Sequence, residues 1–280
     1  MEIKKMNLIV LSLIALLALS ASKPKKTRLD ENFKEVSHRF YASAYEVTNK
    51  EFRDYLNDIK KQNKIKEFEE NFPDTTQWTK TFPNAFTEPW TEKYFWHPGF
   101  DKYPVVNITK KAATDYCKWL TDKYNSSEKR EYKKVVFRLP TEQEWNQMAA
   151  VLSGHNLPWY GHFAYEPNQD KYCANVKFRN QWSKESKYEY AADGAMTTSV
   201  VGNYKANKLG LFDVIGNVAE ITDSGIIKGG SWDNTIDECV VNKAQDFQLP
   251  DPRVGFRIVM IIEELVKKLP ETQCSLEIKK

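Results

Sequence analysis

The rest of the chain is organised around residues 210–257, which contain GLFDVIGNVAEIT from Gly210, IIKGGSW from Ile226 and VGFR from Val254. Glycines punctuate these motifs, so positive φ angles and close backbone approaches are available throughout. We therefore predict that turns, rather than long helices or strands, build this region. Turns leave carbonyl oxygens that need side chains, water or an ion as partners, and a site is expected here. The glycines are Gly210, Gly216, Gly229, Gly230 and Gly255.

The composition is that of one globular domain. The chain has 280 residues, of which 41% are hydrophobic and 13% aromatic, so it can bury a substantial core. Its 41 basic and 38 acidic residues are well mixed, which argues against a nucleic-acid surface because such a surface needs clustered Lys and Arg. The histidines and cysteines show no spacing typical of zinc or non-haem iron. Disulfides are permitted but not required among Cys117, Cys173, Cys239 and Cys274.

The N-terminus has the pattern of a secretory signal. Lys4 and Lys5 precede an apolar run over 8–19, and small residues follow at 20–22. The run is shorter than the roughly 20 residues that span a bilayer comfortably. We predict a signal peptide over 1–21 and an exported chain in the periplasm, at the outer membrane or outside the cell. If the segment stays uncleaved, it would attach the chain to a membrane.

Capping residues predict where three helices begin. Thr48 or Asn49 can cap the first helix, and Thr109 can cap a second, amphipathic one. A third helix should follow the capping-box pair Thr141 and Glu144, because the two side chains can each bond the other's backbone N–H.

Residues 71–106 are rich in proline and aromatic residues. Five prolines exclude a long helix, and the many rings need burial. We interpret this segment as an ordered loop packed on the core, with a ligand-binding lid as the alternative.

Six motifs in a fixed order resemble the sulfatase-modifying-factor family. In chain order they are YEVTNKEF at 45–52, YPVVNITKKAATDYCKWL at 103–120, RLPTEQEW at 138–145, GLFDVIGNVAE at 210–220, KGGSW at 228–232 and GFR at 255–257. The resemblance implies the formylglycine-generating-enzyme fold, an α+β, mixed and turn-rich single domain that is C-type-lectin-like. On this basis the domain covers 40–262, with an N-terminal extension over 22–39 and a polar C-terminal tail over 263–280.

Within the family, residues 73–104 are most similar to the gliding-motility and type IX secretion proteins of Bacteroidetes, such as gliding-motility lipoprotein K. PDTTQW at 73–78 and TEPWTEKYFWHP at 87–98 carry this similarity. The chain departs from that subgroup in having no cysteine for lipid attachment after the predicted signal, and it is shorter.

The family resemblance also implies two calcium sites. The first falls on the side chains of Asn175 and Asp193 with the carbonyls of Val176 and Ala195. The second falls on the side chains of Asp213 and Glu220 with the carbonyls of Gly216 and Val218. These donors are all oxygen atoms, which suits a hard cation. The alternative is that all are ordinary turn and capping residues.

Enzymes of this family oxidise a cysteine of a client sulfatase to formylglycine, and the resemblance implies copper held by two cysteines five residues apart. Counted from Gly229, the two positions fall on Asn234 and Cys239, while Ser231 of the GGS turn is retained. Cu(I) prefers two thiolates, and an amide is a poor substitute. Cys239 and Ser231 are thus the candidate catalytic residues, although copper binding is disfavoured.

Together these patterns favour an exported, calcium-stabilised domain without oxidase activity. It would bind envelope or secretion-system proteins, as in gliding motility or type IX secretion. Two alternatives stay open. One is a copper-dependent formylglycine-generating oxidase that combines Cys239 with another ligand. The other is a lectin-like binder in which aromatic residues between Trp78 and Trp96 stack on sugars.

Overall fold

The computed structural model describes residues 32–84, 89–149, 157–158, 165–166, 171–179, 188–189 and 191–265. The predicted signal peptide and most of the predicted tail lie outside these residues. The helices are α1 (Asn49–Lys61), α2 (Ile65–Asn71), α3 (Gln77–Thr81), α4 (Lys110–Ser126) and α5 (Glu142–Ala149). The strands are β1 (Phe33–Ser37), β2 (Phe40–Ser43), β3 (Lys134–Arg138), β4 (Tyr165–Glu166), β5 (Lys171–Tyr172), β6 (Phe178–Arg179), β7 (Tyr188–Glu189), β8 (Ala219–Ile221), β9 (Ile227–Lys228), β10 (Val254–Gly255) and β11 (Val259–Glu264). Helices and small sheets share one domain, which confirms the α+β prediction.

A four-stranded antiparallel sheet forms the base of the domain, in the order β1-β2-β11-β3. In β3, Val135 and Phe137 are buried while their neighbours are more exposed, which is the alternation of a strand with one face on the core. The strand β11 pairs with β2 on one side and β3 on the other. Since β1 is an edge strand of this sheet, part of the predicted 22–39 extension belongs to the folded domain.

The helices begin at the predicted caps. Thr48 accepts the N–H of Glu51, whose carboxylate accepts the N–H of Thr48, so a capping box starts α1. The Thr109 hydroxyl accepts the N–H of Ala112 at the start of α4. The pair Thr141 and Glu144 makes the same reciprocal bonds at α5. Each of these side chains satisfies an N–H group that the first helical turn leaves unpaired.

Aromatic side chains join α1 and α4 to the turn-rich half of the domain. The Phe52 ring stacks on Tyr116 with centroids 5.7 Å apart and meets Phe256 edge-on at 6.2 Å. All three side chains are buried, and α4 also packs against β3. Burying such rings contributes roughly 1.5–3 kcal/mol each relative to exposure, so this cluster fixes the helices on the sheet.

Residues 71–106 form short helical pieces rather than one helix, as their prolines predict. After α3, a π-helical turn covers Pro89–Tyr94 and a 3-10 turn covers Pro98–Phe100. The Trp78 side chain is fully buried and stacks on Trp232 of the KGGSW motif at 6.3 Å. The described part of this segment is therefore packed on the core, as interpreted.

The region 210–257 is built from turns joined by the short strands β8, β9 and β10, as its glycines predict. Gly210, Gly216, Gly229 and Gly230 all have positive φ. Gly255 differs, because it lies in β10 and is needed for close approach: a Cβ there would lie 2.7 Å from the Val105 carbonyl oxygen.

Among the described residues, no helix combines the length and the apolar character that crossing a membrane requires.

Candidate functional site

The GGS turn places Ser231 against Asn234. The Asn234 side-chain oxygen accepts a hydrogen bond from the Ser231 N–H at 3.0 Å and from the Ser231 hydroxyl at 2.9 Å. The backbone returns the contact, since the Asn234 N–H donates to the Ser231 carbonyl at 3.0 Å. Asn234 therefore closes this turn through three hydrogen bonds, and its side chain has a structural partner at the position where the resemblance implies a thiolate.

Cys239 lies beneath the same turn. Its side chain is fully buried, and a Cβ on Gly230 would lie only 2.2 Å from its sulfur. Burial raises the pKa of the Cys239 thiol well above its usual range, so the thiol stays protonated. The structure thus places Ser231, Asn234 and Cys239 around one turn. One buried thiol and an engaged amide do not fit a two-thiolate copper site.

The first predicted calcium set converges on the carboxylate of Asp193. Its two oxygens accept the N–H groups of Val176 and Ala195, each at 3.0 Å. The side-chain oxygen of Asn175 is buried and has no hydrogen-bond partner among the described residues. Burial raises the pKa of Asp193 to about 6, although the backbone N–H groups act in the other direction. A partly buried carboxylate together with an orphaned amide oxygen fits a hard cation, which would be held by Asn175, Asp193 and the carbonyls of Val176 and Ala195.

The second predicted set is divided between a free carboxylate and an ion-paired one. Asp213 accepts the Gly202 N–H through one oxygen, and its other oxygen is buried and has no partner among the described residues. Glu220, in contrast, accepts two N–H groups from Arg257 at 2.9 and 2.7 Å and one from Trp145 at 2.7 Å.

A guanidinium therefore already offsets the Glu220 charge. One oxygen of Asp213 remains without a partner among the described residues, so this set fits a cation less fully than the first.

The sequence did not single out Glu46, which the structure buries beside this second set. Its carboxylate accepts the Asn217 amide N–H at 3.0 Å and the Val218 N–H at 3.3 Å. Burial raises the pKa of Glu46 well above its usual range, and the neighbouring Asp213 carboxylate raises it further. One feature of the sequence could have identified Glu46. In YEVTN it is a carboxylate among apolar residues just before α1.

Histidine, cysteine, aspartate and glutamate side chains form no group of three or more that could hold a metal ion within the described part of the chain. Any cation held by the predicted sets would thus depend on backbone carbonyl and amide oxygens as well as carboxylates.

Helices and small sheets around a turn-built site are the features of the formylglycine-generating-enzyme fold. In the solved structure of PvdO from Pseudomonas aeruginosa, 80% of the chain aligns with 79% of this one at a TM-score of 0.50 and 19% sequence identity, which shows a shared fold. The profile of the sulfatase-modifying factor enzyme 1-like domain matches residues 22–262. The chain belongs to this family.

The relatives include a protein named as inactive and others named as formylglycine-generating enzymes. The inactive C-alpha-formylglycine-generating enzyme 2 of Mus musculus is 27% identical over 237 residues, which are 74% of this chain and 68% of the relative. The formylglycine-generating enzyme of Mycobacterium tuberculosis is 31% identical over 123 residues, covering 43% of this chain and 33% of that enzyme.

Proposed function

We propose that this chain is a non-catalytic member of its family that acts as a protein-binding component of an envelope assembly. The observation that carries the proposal is the Asn234 side chain, which occupies the first thiolate position and accepts two hydrogen bonds from Ser231. The similarity to a relative named as inactive supports the same conclusion. The buried, protonated Cys239 thiol supplies only half of a copper site.

Calcium is the cofactor that we propose. At the first set, the orphaned oxygen of Asn175 and the partly buried carboxylate of Asp193 both lack a cationic partner among the described residues. We extend the proposal to the second set through the free oxygen of Asp213, with Glu220 as the weaker participant because Arg257 already pairs with it. Calcium binding would then connect loops that contain little regular secondary structure.

Export and an envelope location form the rest of the proposal. The motivating observations are the signal-like residues 1–21 and the similarity of residues 73–104 to gliding-motility and type IX secretion proteins. An uncleaved signal would add membrane attachment. The partners would be envelope or secretion-system proteins rather than nucleic acid.

A conversion assay tests the absence of oxidase activity. The purified full chain, Cu(I) and oxygen are given a peptide containing C-x-P-x-R, and mass spectrometry follows the cysteine. We expect no formylglycine, and product from the natural chain would overturn the proposal. The variant Asn234→Cys runs alongside, because product from the variant alone would assign the loss of activity to this position.

Protein binding has its own test. The tagged full chain is used as bait against envelope fractions of its host, and captured proteins are compared with those bound by the heat-denatured chain. Recovery of no specific envelope protein would count against a role in an envelope assembly.

A further inference from the structure

A cleft of about 310 Å³ lies between α1 and α4, away from the GGS turn. Its lining includes Tyr116, Trp119, Leu120 and Tyr124 from α4, and its edge includes Glu51 from α1 and Arg130 from the loop after α4. A volume near 300 Å³ is at the small end of ligand pockets, and it suits one large apolar side chain with its neighbours. The lining is mostly apolar while the edge is charged.

Most charges near this cleft are already neutralised within the chain. Asp54 pairs with Lys50 at 2.6 Å, and Lys123 pairs with Asp58 at 3.0 Å while it also lies over the Trp119 ring. These groups have little attraction left for a ligand.

Two charges of opposite sign remain at the edge. The Glu51 carboxylate accepts hydrogen bonds from the N–H and hydroxyl of Thr48, but no cation pairs with it among the described residues. The Arg130 guanidinium donates only to the carbonyls of Ser127 and Lys133 within the same part of the chain. The cleft therefore offers one anion from α1 and one cation from the following loop.

The Tyr116 hydroxyl is a third polar group at the cleft. The side chain is 97% buried, since only 3% of its surface is exposed, and it lines the cleft. No hydrogen bond to its hydroxyl exists among the described residues, whereas the neighbouring Tyr124 hydroxyl accepts the N–H groups of Glu131 and Tyr132. Burial raises the pKa of Tyr116, and the nearby Glu51 carboxylate raises it further, so the hydroxyl remains a proton donor. The hydroxyl is not one of the buried polar atoms that lack a partner, so it reaches the surface of the cleft, where water or a ligand can accept its hydrogen bond.

We propose that this cleft binds a peptide segment of a partner protein in which one apolar side chain stands between an acidic and a basic residue. The apolar side chain would fill the space over Trp119 and Leu120, and the Tyr116 hydroxyl would donate to a peptide carbonyl. The acidic residue would pair with Arg130 and the basic residue with Glu51. The choice of a peptide rests on the proposed protein-binding function, whereas the charge pattern and the free hydroxyl rest on geometry alone.

The test is a titration of the full chain with fluorescein-labelled heptapeptides, followed by fluorescence anisotropy at low salt. The probes are Gly-Ser-Glu-Phe-Lys-Ser-Gly, its charge-reversed order, a neutral version with Gln in place of both charged residues, and a version with Ser in place of Phe. We expect one of the two charged orders to bind, the neutral version to bind about tenfold more weakly, and the version without Phe to show no binding.

Cleft variants locate the binding. Arg130→Gln and Glu51→Gln should each raise the Kd about threefold to fivefold, and Tyr116→Phe should raise it by a similar factor. The matched controls Lys129→Gln and Glu69→Gln remove exposed charges that do not line the cleft, and they should leave the Kd unchanged. Glutamine at position 51 can still accept the Thr48 N–H, so the variant keeps its helix cap.

Three outcomes would overturn the cleft proposal: no binding of any charged probe, equal binding of the neutral probe, or binding that all three cleft variants retain. The proposed function is judged separately by capture of envelope proteins. A partner captured equally well by the natural chain and by Arg130→Gln would contradict the cleft as its docking site while leaving the protein-binding function standing.

Discussion

Asn234 is a single side chain that closes a buried turn. Replacing it with Ala removes the acceptor for the N–H and hydroxyl of Ser231, and Ser231 is fully buried. We expect Asn234→Ala to lower the free energy of unfolding by about 1–3 kcal/mol, because buried donors would lose their partner. Urea denaturation measures the change. The exposed Asn57→Ala in α1 is the control and should stay within about 0.5 kcal/mol of the natural chain.

Glu46 gives a residue-scale prediction about pH. Because burial raises its pKa in the folded state, ionised Glu46 disfavours folding. Its contribution to stability is therefore fully present below the unfolded pKa, near 4.3, and is lost as the pH rises through the folded value. In Glu46→Gln this loss disappears, so the melting temperature of the variant should exceed that of the natural chain increasingly from pH 5 to pH 8.

Thermal unfolding in chelator measures this pH trend. The exposed Glu69→Gln is the control, and its difference from the natural chain should not change with pH in this range. A constant difference for Glu46→Gln would contradict the burial argument.

The turn before β8 requires glycine at position 216. Gly216 has φ of +79°, and a Cβ there would lie 2.3 Å from the Asn175 carbonyl oxygen. We expect Gly216→Ala to cost about 2 kcal/mol or more, since it adds a backbone clash to the strain of a left-handed conformation. Gly194→Ala is a matched control: Gly194 also has positive φ, but a Cβ there meets nothing within 4 Å, so strain alone should cost about 1 kcal/mol. Equal losses in the two variants would contradict the clash.

Elements with local signals were predictable, and contacts between distant residues were not. The caps of α1, α4 and α5 follow from Thr48, Thr109 and Thr141, because a cap depends on residues three positions apart. The strand β1 was missed although it forms a local hairpin with β2. The place of that hairpin in the main sheet depends on the pairing of β2 with the distant strand β11.

The candidate site also contains residues that could be predicted and a contact that could not. Asn234 and Cys239 were placed by the family resemblance, counted from Gly229. The ion pair of Arg257 with Glu220 joins residues 37 positions apart, and the local sequence does not predict it.

Calcium binding would affect the whole molecule, because the proposed ligands lie on separate loops that a bound ion would connect. If both sets bind, titration calorimetry should give two ions per chain, and Asp193→Asn and Asp213→Asn should each remove one. Chelation should lower the melting temperature, since an ion bound only to the folded chain adds about 2.7 kcal/mol at a concentration 100 times its Kd. A transition unchanged by EDTA would show that these residues serve only as turn residues.

The order of strands in the main sheet has a consequence for how the chain is made. The strand β11, which comes last along the chain, lies between β2 and β3, so those early strands have no neighbour in common until it arrives. A nascent chain that still lacks residues 259–264 cannot complete its base, and folding must wait until the ribosome has synthesised nearly the whole domain.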